Sequence, residues 1–141
     1  MALTVKLEHV RGCLEGVLPA VIATCAADGT PNVTYLSKVT YVDHEHIALS
    51  NQFFSKTLEN VRQNPHAQIT LIHPENGRQL RIDARFERSE TEGELFEQVR
   101  AELDAIATLM RMQAVFKLRA VDVFRVTSAE YMASDAAPPT P

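Results

Sequence analysis

The residues best suited to chemistry lie in the stretch HIALSNQFFSKTLENVRQNP, which runs from His46 to Pro65. A strand-like apolar run ends there at a polar Ser-Asn-Gln, and a helical pattern then begins at Ser55, Lys56 and Thr57. The first backbone N–H groups of a helix have no partner within it, and the helix dipole places partial positive charge at the same end. One ammonium and two hydroxyls at this position would complete a binding site for a phosphate group.

The same three residues also have a plainer explanation. Ser55 would serve as a simple helix N-cap and Lys56 as a solvated surface residue. The Ser-Lys-Thr triplet is similar to the end of a nucleotide-binding P-loop, but no G-x-x-x-x-G precedes it. We exclude a P-loop and keep the phosphate site and the simple cap as alternatives.

A pair of histidines is a second candidate group. His44 and His46 are separated by one residue, so in a strand they would share a face, as two metal ligands do. No third ligand is visible nearby, and the D-H-E-H segment lies between two strand-like runs. We interpret it as a polar turn and predict no metal site.

A glutamine in the segment RQLRI is a third candidate. The period of a strand places Gln79 and Arg81 on the face opposite to Leu80 and Ile82. An amide offers both donors and acceptors, which suits the edge of a heterocycle. The alternative is a strand whose polar face meets solvent or a dimer partner.

The composition narrows the class of protein. A chain of 141 residues, 45% hydrophobic and without a long apolar run, fits one soluble domain, and the lack of a signal-peptide pattern predicts a cytoplasmic location. The net charge of −4 argues against a nucleic-acid surface. Cys13 and Cys25 lack C-x-x-C spacing, which predicts reduced packing residues. The sequence groups no nucleophile with a base, so catalytic residues stay unassigned.

Several elements must position these candidates. The patterns predict strands over residues 18–26, 32–42, 47–50, 67–73, 78–88 and 119–132, and helices over 4–16, 55–63 and 92–112. Asp28-Gly29 and Asn76-Gly77 predict tight hairpins. We therefore expect a β-rich (α+β) fold, a small antiparallel barrel of about six strands with flanking helices. Residues 1–133 are predicted to form a single domain and residues 134–141 a disordered tail.

Four segments together carry a family resemblance. They are NVTYLSK at 32–38, LSN at 49–51, SKTLEN at 55–60 followed by Asn-Pro at 64–65, and RQLR at 78–81. In their order and spacing the chain resembles the pyridoxamine 5′-phosphate oxidase-like family of FMN-binding split barrels. The resemblance covers residues 18–87, with a looser match over the last strand, and it implies a split β-barrel.

The resemblance also implies a set of cofactor-binding residues. In the family, the segment matching 33–38 runs along the flavin, and the pair matching Leu49 and Ser50 touches the cofactor near its ribityl and phosphate end. The Ser-Lys-Thr position holds the phosphate, and a strand Gln reaches the cofactor. The residues implied to bind FMN here are Val33, Tyr35, Leu36, Ser37, Lys38, Leu49, Ser50, Asn51, Ser55, Lys56, Thr57 and Gln79.

The chain departs from the founding enzymes at three places. It has Asn32-Val33 where they have an Arg, and Thr57 where they have a second basic phosphate residue, so we expect weaker FMN binding because charge-assisted hydrogen bonds are lost. It also ends in ASDAAPPTP where they have an Arg-Leu-x-Pro segment that serves pyridoxal phosphate. We therefore expect no efficient oxidation of pyridoxamine phosphate.

The resemblance leads to one main functional hypothesis and two alternatives. The main hypothesis is a homodimeric flavoprotein that holds FMN at the subunit interface and acts as an oxidoreductase on a small molecule, without nucleic-acid or membrane partners. A deazaflavin-dependent reductase is the first alternative, although its acidic cofactor tail would favour more basic residues than this chain has. A non-catalytic flavin or haem carrier or sensor is the second.

Overall fold

The computed structural model describes residues 3–14, 19–52, 55–111 and 117–132, with only the backbone of Ser55. Within these ranges, the strands are β1 (Leu3–Thr4), β2 (Ala20–Cys25), β3 (Pro31–Leu36), β4 (Val39–Tyr41), β5 (His46–Asn51), β6 (His66–Ile72), β7 (Gln79–Glu90) and β8 (Ala120–Tyr131). The α-helices are α1 (Ser55–Gln63) and α2 (Glu94–Leu109), and a 3-10 helix covers Leu7–Leu14.

All of these strands belong to one antiparallel sheet with the order β3-β2-β6-β7-β8-β5-β4, and β1 lies beside β8. The sheet curls into a half-barrel, which confirms the predicted fold class. It contains eight strands instead of about six, because β1 was not predicted and the strand predicted over residues 32–42 is divided into β3 and β4.

The division between β3 and β4 explains why the sheet curls. The two strands lie at opposite edges of the sheet, yet only Ser37 and Lys38 separate them in the chain. Seven strands laid flat would set these edges about 29 Å apart, whereas the three Cα–Cα steps from Leu36 to Val39 reach about 11 Å at most. The edges must therefore approach each other, and we call this place the seam.

The helices agree with the predicted positions and differ in detail. α1 begins and ends where the sequence pattern predicts, and α2 is shorter than the predicted 92–112 at both ends. The N-terminal helix is a 3-10 helix, interrupted at Val10 with φ −119°, and it buries Leu7, Cys13 and Leu14. The predicted ends at 15–16 and 112 lie outside the described residues, as do Leu18 and the predicted tail.

The core explains how α1 is held. Alternating side chains of β2, β6 and β7 point inward, and Ile22, Ile69 and Ile82 are fully buried. Val61 of α1 packs into the same cluster. A second, smaller cluster joins Val99 of α2 to β5 and β8. α1 therefore rests on the inner side of the sheet beside the strands that carry the candidate residues.

Both predicted hairpin turns are present, with Gly29 at φ 92° and Gly77 at φ 73°. Glycine favours this backbone region because it has no Cβ. The first of these turns lies at the end of the sheet where α1 contacts β2 and β3. Among the described helices, none is long and apolar enough to cross a membrane.

Candidate functional site

The first turn of α1 lies beside two strands that anchor the helix. It contains no acidic residue. Asn32 Nδ2 donates to Thr57 Oγ1 at 3.3 Å, and one turn later Asn60 Nδ2 donates to Thr24 Oγ1 at 3.1 Å. These bonds fix the start of the helix against the β2–β3 hairpin, so its free N–H groups have a defined direction.

Lys56 and Thr57 differ in how far a ligand can reach them. The Lys56 side chain is 54% exposed, and its Nζ lies 3.9 Å from Glu59 Oε1, a loose surface contact. The pKa of Asp28 at the hairpin turn is lowered, first by hydrogen bonds from Thr30 and to a smaller degree by the charge of Lys56. Thr57 is buried with its oxygen bonded to Asn32. Lys56 is thus the available cation at this helix end.

A second group of predicted residues meets at the seam. The backbone N–H of Lys38 donates to Ser50 Oγ at 3.1 Å, and the Ser50 N–H donates to the Lys38 carbonyl at 3.1 Å. Gln52 Nε2 donates to Ser37 Oγ at 2.8 Å. The end of β5 is therefore tied to the link between β3 and β4. The predicted residues Ser37, Lys38 and Ser50 form one polar cluster with Gln52.

The Lys38 ammonium is engaged within the chain. Its Nζ donates to the carbonyl oxygen of Leu14, at the end of the 3-10 helix, at 2.6 Å. A cavity of about 80 Å³ lies beside it, lined in part by Arg11, Thr40 and Glu102. That volume is far below the roughly 300 Å³ at which small-molecule sites begin, so the cavity does not fit a flavin.

The strand predicted to run along the flavin presents two different faces. Val33 and Tyr35 are 65% and 74% exposed on the outer face of β3, which is an edge strand. Leu36 and Leu49 lie in the core. Because their side chains are buried, Leu36 and Leu49 can meet a ligand only through backbone groups, the kind of contact that the resemblance implies for the flavin segment.

Asn51 belongs to a buried polar network. Its Nδ2 donates to Asp122 Oδ2 at 3.1 Å, and Ser89 Oγ donates to Asp122 Oδ1 at 2.6 Å. Burial raises the pKa of Asp122, although these hydrogen bonds and the charge of Arg62 act in the opposite direction. This network joins β5, β7 and β8, so the Asn51 side chain has a structural role in the free chain.

Gln79 lies apart from the other predicted residues. It is exposed on the outer face of β7, paired with Ile72. The start of α1 contacts β3 at Asn32. Across the sheet, Asn32 is level with the paired residues of β2, β6 and β7, which are Thr24, Ala67 and Ala84. Gln79 is five residues, about 16 Å, further along the strands and three strands away from β3. A single small ligand on one chain does not contact both.

A larger groove opens on the outer face of the sheet, with a volume of about 340 Å³. It contains none of the predicted site residues. Its lining includes Cys25, His66, Gln68 and Asp83, where Gln68 Nε2 donates to Asp83 Oδ1 at 3.1 Å. Cys13 and Cys25 are both free thiols.

The histidine pair does not assemble as metal ligands. His46 lies between two carboxylates, with Nδ1 2.9 Å from Asp43 Oδ1 and Nε2 2.9 Å from Glu87 Oε1, and the hydrogen bond to Asp43 is the main reason that its pKa is raised. His44 contacts Glu45 at 3.7 Å. In the part of the chain that the structure describes, no three potential ligands are grouped for a metal ion.

Two residues of the site were not predicted from the sequence. Asn32 orients Thr57, and Gln52 closes the seam. The polar Ser-Asn-Gln after an apolar strand was a signal for Gln52, since polar residues that end a buried strand need partners. Nothing in the sequence indicates the contact of Asn32, which joins residues 25 positions apart.

Comparison with known proteins places this geometry in context. A search of curated protein sequences gave no match. An FMN-binding protein from Syntrophomonas wolfei has a similar structure, with a TM-score of 0.75, 16% identity, and coverage of 91% of this chain and 86% of the other.

Two further solved structures share the fold. An F420 reductase gives a TM-score of 0.61 with 20% identity, covering 84% of this chain and 94% of the other. HutZ, described as a haem storage protein from Vibrio cholerae, gives 0.56 with 21% identity, covering 86% and 89%. The family model described as pyridoxamine 5′-phosphate oxidase matches residues 7–132. The chain therefore belongs to the pyridoxamine 5′-phosphate oxidase family.

Proposed function

We propose that the protein binds FMN at a site shared by two copies of the chain and uses it as an oxidoreductase acting on a small molecule. The observation that carries this proposal is the exposed Lys56 in a first helical turn without an acid, at the end where a helix leaves N–H groups without intrahelical partners. This donor set suits a phosphate monoester. When bound, FMN would supply a ring that accepts and donates electrons.

Different parts of the cofactor would contact different elements. The phosphate would lie at α1, held by backbone N–H groups and Lys56. The backbone of β3 and the seam would orient the rest of the cofactor, because the hydrogen bonds of Ser37, Lys38 and Ser50 fix the position of that chain segment. This arrangement needs no protein nucleophile, which agrees with the absence of a predicted one.

A second copy of the chain would complete the site. Gln79 is too far from α1 to share a ligand with it on one chain, and Val33, Tyr35 and Ile72 leave apolar surface exposed on the same outer face. Exposed apolar surface of this kind marks protein contacts. Packing two such faces together would bury these side chains and bring a Gln79 from the partner toward the β3 edge.

Two other cofactors are found among structures of this fold, since its solved examples include an F420 reductase and a haem storage protein. Deazaflavin remains an alternative because the same helix end could hold its phosphate. Haem is the less favoured alternative, because it carries carboxylates and no phosphate. We also propose a cytoplasmic location, which suits two free thiols.

The deciding experiment is a fluorescence titration of the purified protein with FMN and with riboflavin. FMN should bind saturably, and riboflavin about tenfold to a hundredfold more weakly, since it lacks the group that α1 recognises. Equal affinities would contradict the phosphate site. Incubation of the FMN complex with NADH or NADPH under air then separates an oxidoreductase, which turns over, from a carrier, which only holds the chromophore.

A further inference from the structure

The buried side chain of Gln52 has a hydrogen-bond partner at only one of its two amide atoms. It is only 3% exposed, and its Nε2 donates to Ser37 Oγ at 2.8 Å. Its Oε1 has no hydrogen-bond partner. Among the described residues it is the one buried side-chain nitrogen or oxygen atom without a hydrogen bond. Buried polar atoms are normally paired, so an unpaired acceptor calls for an explanation.

The chemistry of the missing partner follows from the atom. Nε2 bonds Ser37 through one of its two hydrogens, and the amide atom that lacks a partner is the acceptor Oε1. A phosphate or a carboxylate cannot satisfy it, because neither group donates at neutral pH. The group that completes Gln52 must be a hydroxyl, that of water included, or an N–H.

The position of Gln52 selects between these two donors. It follows β5 directly and precedes the first residue of α1 by three positions, and it is bonded to the seam at Ser37. In the proposed function the phosphate lies at α1 and the flavin ring lies along β3. The part of FMN that connects the two is the ribityl chain, which carries hydroxyl groups.

We propose that Gln52 Oε1 accepts a hydrogen bond from a ribityl hydroxyl of the bound flavin and thereby distinguishes ribityl-bearing cofactors from haem. This inference rests on the proposed function and adds a residue that lies outside the set implied by the family resemblance. Gln52 is enclosed in the free chain, so the ligand hydroxyl reaches Oε1 only when the groups covering it give way.

The test compares riboflavin with lumiflavin, which has the same ring and no ribityl chain. Gln52→Met keeps the length of the side chain and removes both the acceptor and the bond to Ser37, and the loss of the Ser37 bond should affect riboflavin and lumiflavin alike. It should weaken riboflavin about threefold to tenfold, the effect of one neutral hydrogen bond, and leave lumiflavin within about twofold. Gln98→Met on the exposed surface of α2 is the matched control and should change neither affinity.

A second measurement uses the wild-type protein, so its result does not depend on whether Gln52→Met folds correctly. Among riboflavin analogues that each lack one ribityl hydroxyl, one should bind the wild-type chain about threefold to tenfold more weakly than riboflavin. In Gln52→Met that difference should vanish, because the two changes remove the same bond.

Two results would overturn the inference about Gln52 while leaving flavin binding intact. They are an equal loss of riboflavin and lumiflavin affinity in Gln52→Met, and wild-type affinities that do not depend on any single ribityl hydroxyl. A wild-type chain that binds neither FMN nor riboflavin would overturn the proposed function and this inference together.

Discussion

At the scale of single residues, binding of the cofactor phosphate should depend on one side chain. Lys56 is the exposed cation at the start of α1, while Thr57 is buried against Asn32 and the Lys38 ammonium is bonded to Leu14. Backbone N–H groups supply the other donors, and substitution leaves these in place. The contribution of Lys56 can therefore be measured by itself.

Lys56→Ala should weaken FMN binding by about 1.5–3 kcal/mol, roughly tenfold to a hundredfold, because it removes one charge-assisted bond to the phosphate. Riboflavin affinity should stay within about twofold. Lys117→Ala, an exposed lysine that precedes β8, is the control and should leave both affinities unchanged. An FMN titration of Lys56→Ala that matches the wild type would identify Lys56 as an ordinary surface residue.

Asp122 should make stability depend on pH in a defined direction. Its folded pKa is raised above the usual 3.8 by burial, so between the unfolded and folded pKa values the native state binds more protons than the unfolded state. Stability from this group is greatest below the unfolded pKa and declines as pH rises through the folded pKa. Asp122→Asn removes the titration and can still accept from Asn51 and donate to Ser89.

The free energy of unfolding of the wild type, minus that of Asp122→Asn, should therefore fall as pH rises from about 3.5 to 7 in urea titrations. The difference cancels carboxylates that titrate equally in both proteins. A difference that rises with pH would mean that the hydrogen bonds and Arg62 outweigh burial.

At the scale of elements, α1 is useful only if its first turn points in a fixed direction. Val61 packs it into the core, and the bond from Asn60 to Thr24 ties it to β2. The Asn60 and Thr24 side chains are both buried, so water cannot take the place of either partner if the hydrogen bond is lost. The geometry of the phosphate site is therefore coupled to the stability of this contact.

Asn60→Ala should lower the free energy of unfolding by about 1–3 kcal/mol, because the buried hydroxyl of Thr24 loses its partner. FMN affinity should fall as well, since the helix start is less well fixed. Gln63→Ala, exposed at the end of the same helix, controls for helix propensity and should change stability by less than about 0.5 kcal/mol. Equal urea midpoints for the two variants would show that the Asn60 contact contributes nothing.

At the scale of the whole molecule, three exposed large apolar residues lie on the outer face of the sheet, at an edge strand and near it. Val33, Tyr35 and Ile72 lie there, and Gln79 pairs with Ile72. Such a face on a sheet edge invites association with another sheet. The proposed dimer would cover it and bring the separated halves of the site together.

The wild-type chain should have the mass of a dimer in light scattering at micromolar concentration. Tyr35→Asp places a charge at the centre of the proposed interface and should shift the mass to the monomer and weaken FMN binding, because Gln79 of the partner is lost. Leu109→Asp is the matched control, since Leu109 is 70% exposed on α2, and it should remain a dimer. A wild-type monomer with FMN bound would exclude a shared site.

Local patterns in the sequence predicted most of the secondary structure. The bounds of α1, the Gly29 and Gly77 turns and the alternation of β6 and β7 follow from capping, turn and periodicity rules that act between near neighbours. The break at Ser37 and Lys38 could not be predicted in this way. It depends on two sheet edges that meet only when the whole sheet has formed.

The sequence by itself determined the β-rich fold, the family and the position of the polar helix start, because each depends on residue type and spacing along the chain. The tertiary structure alone decided which of the predicted residues meet: it gathered Ser37, Lys38 and Ser50 at the seam and carried Gln79 to the far end of the outer face. Strand order and register set these distances, and both arise from pairings between residues far apart in sequence, which no local pattern encodes.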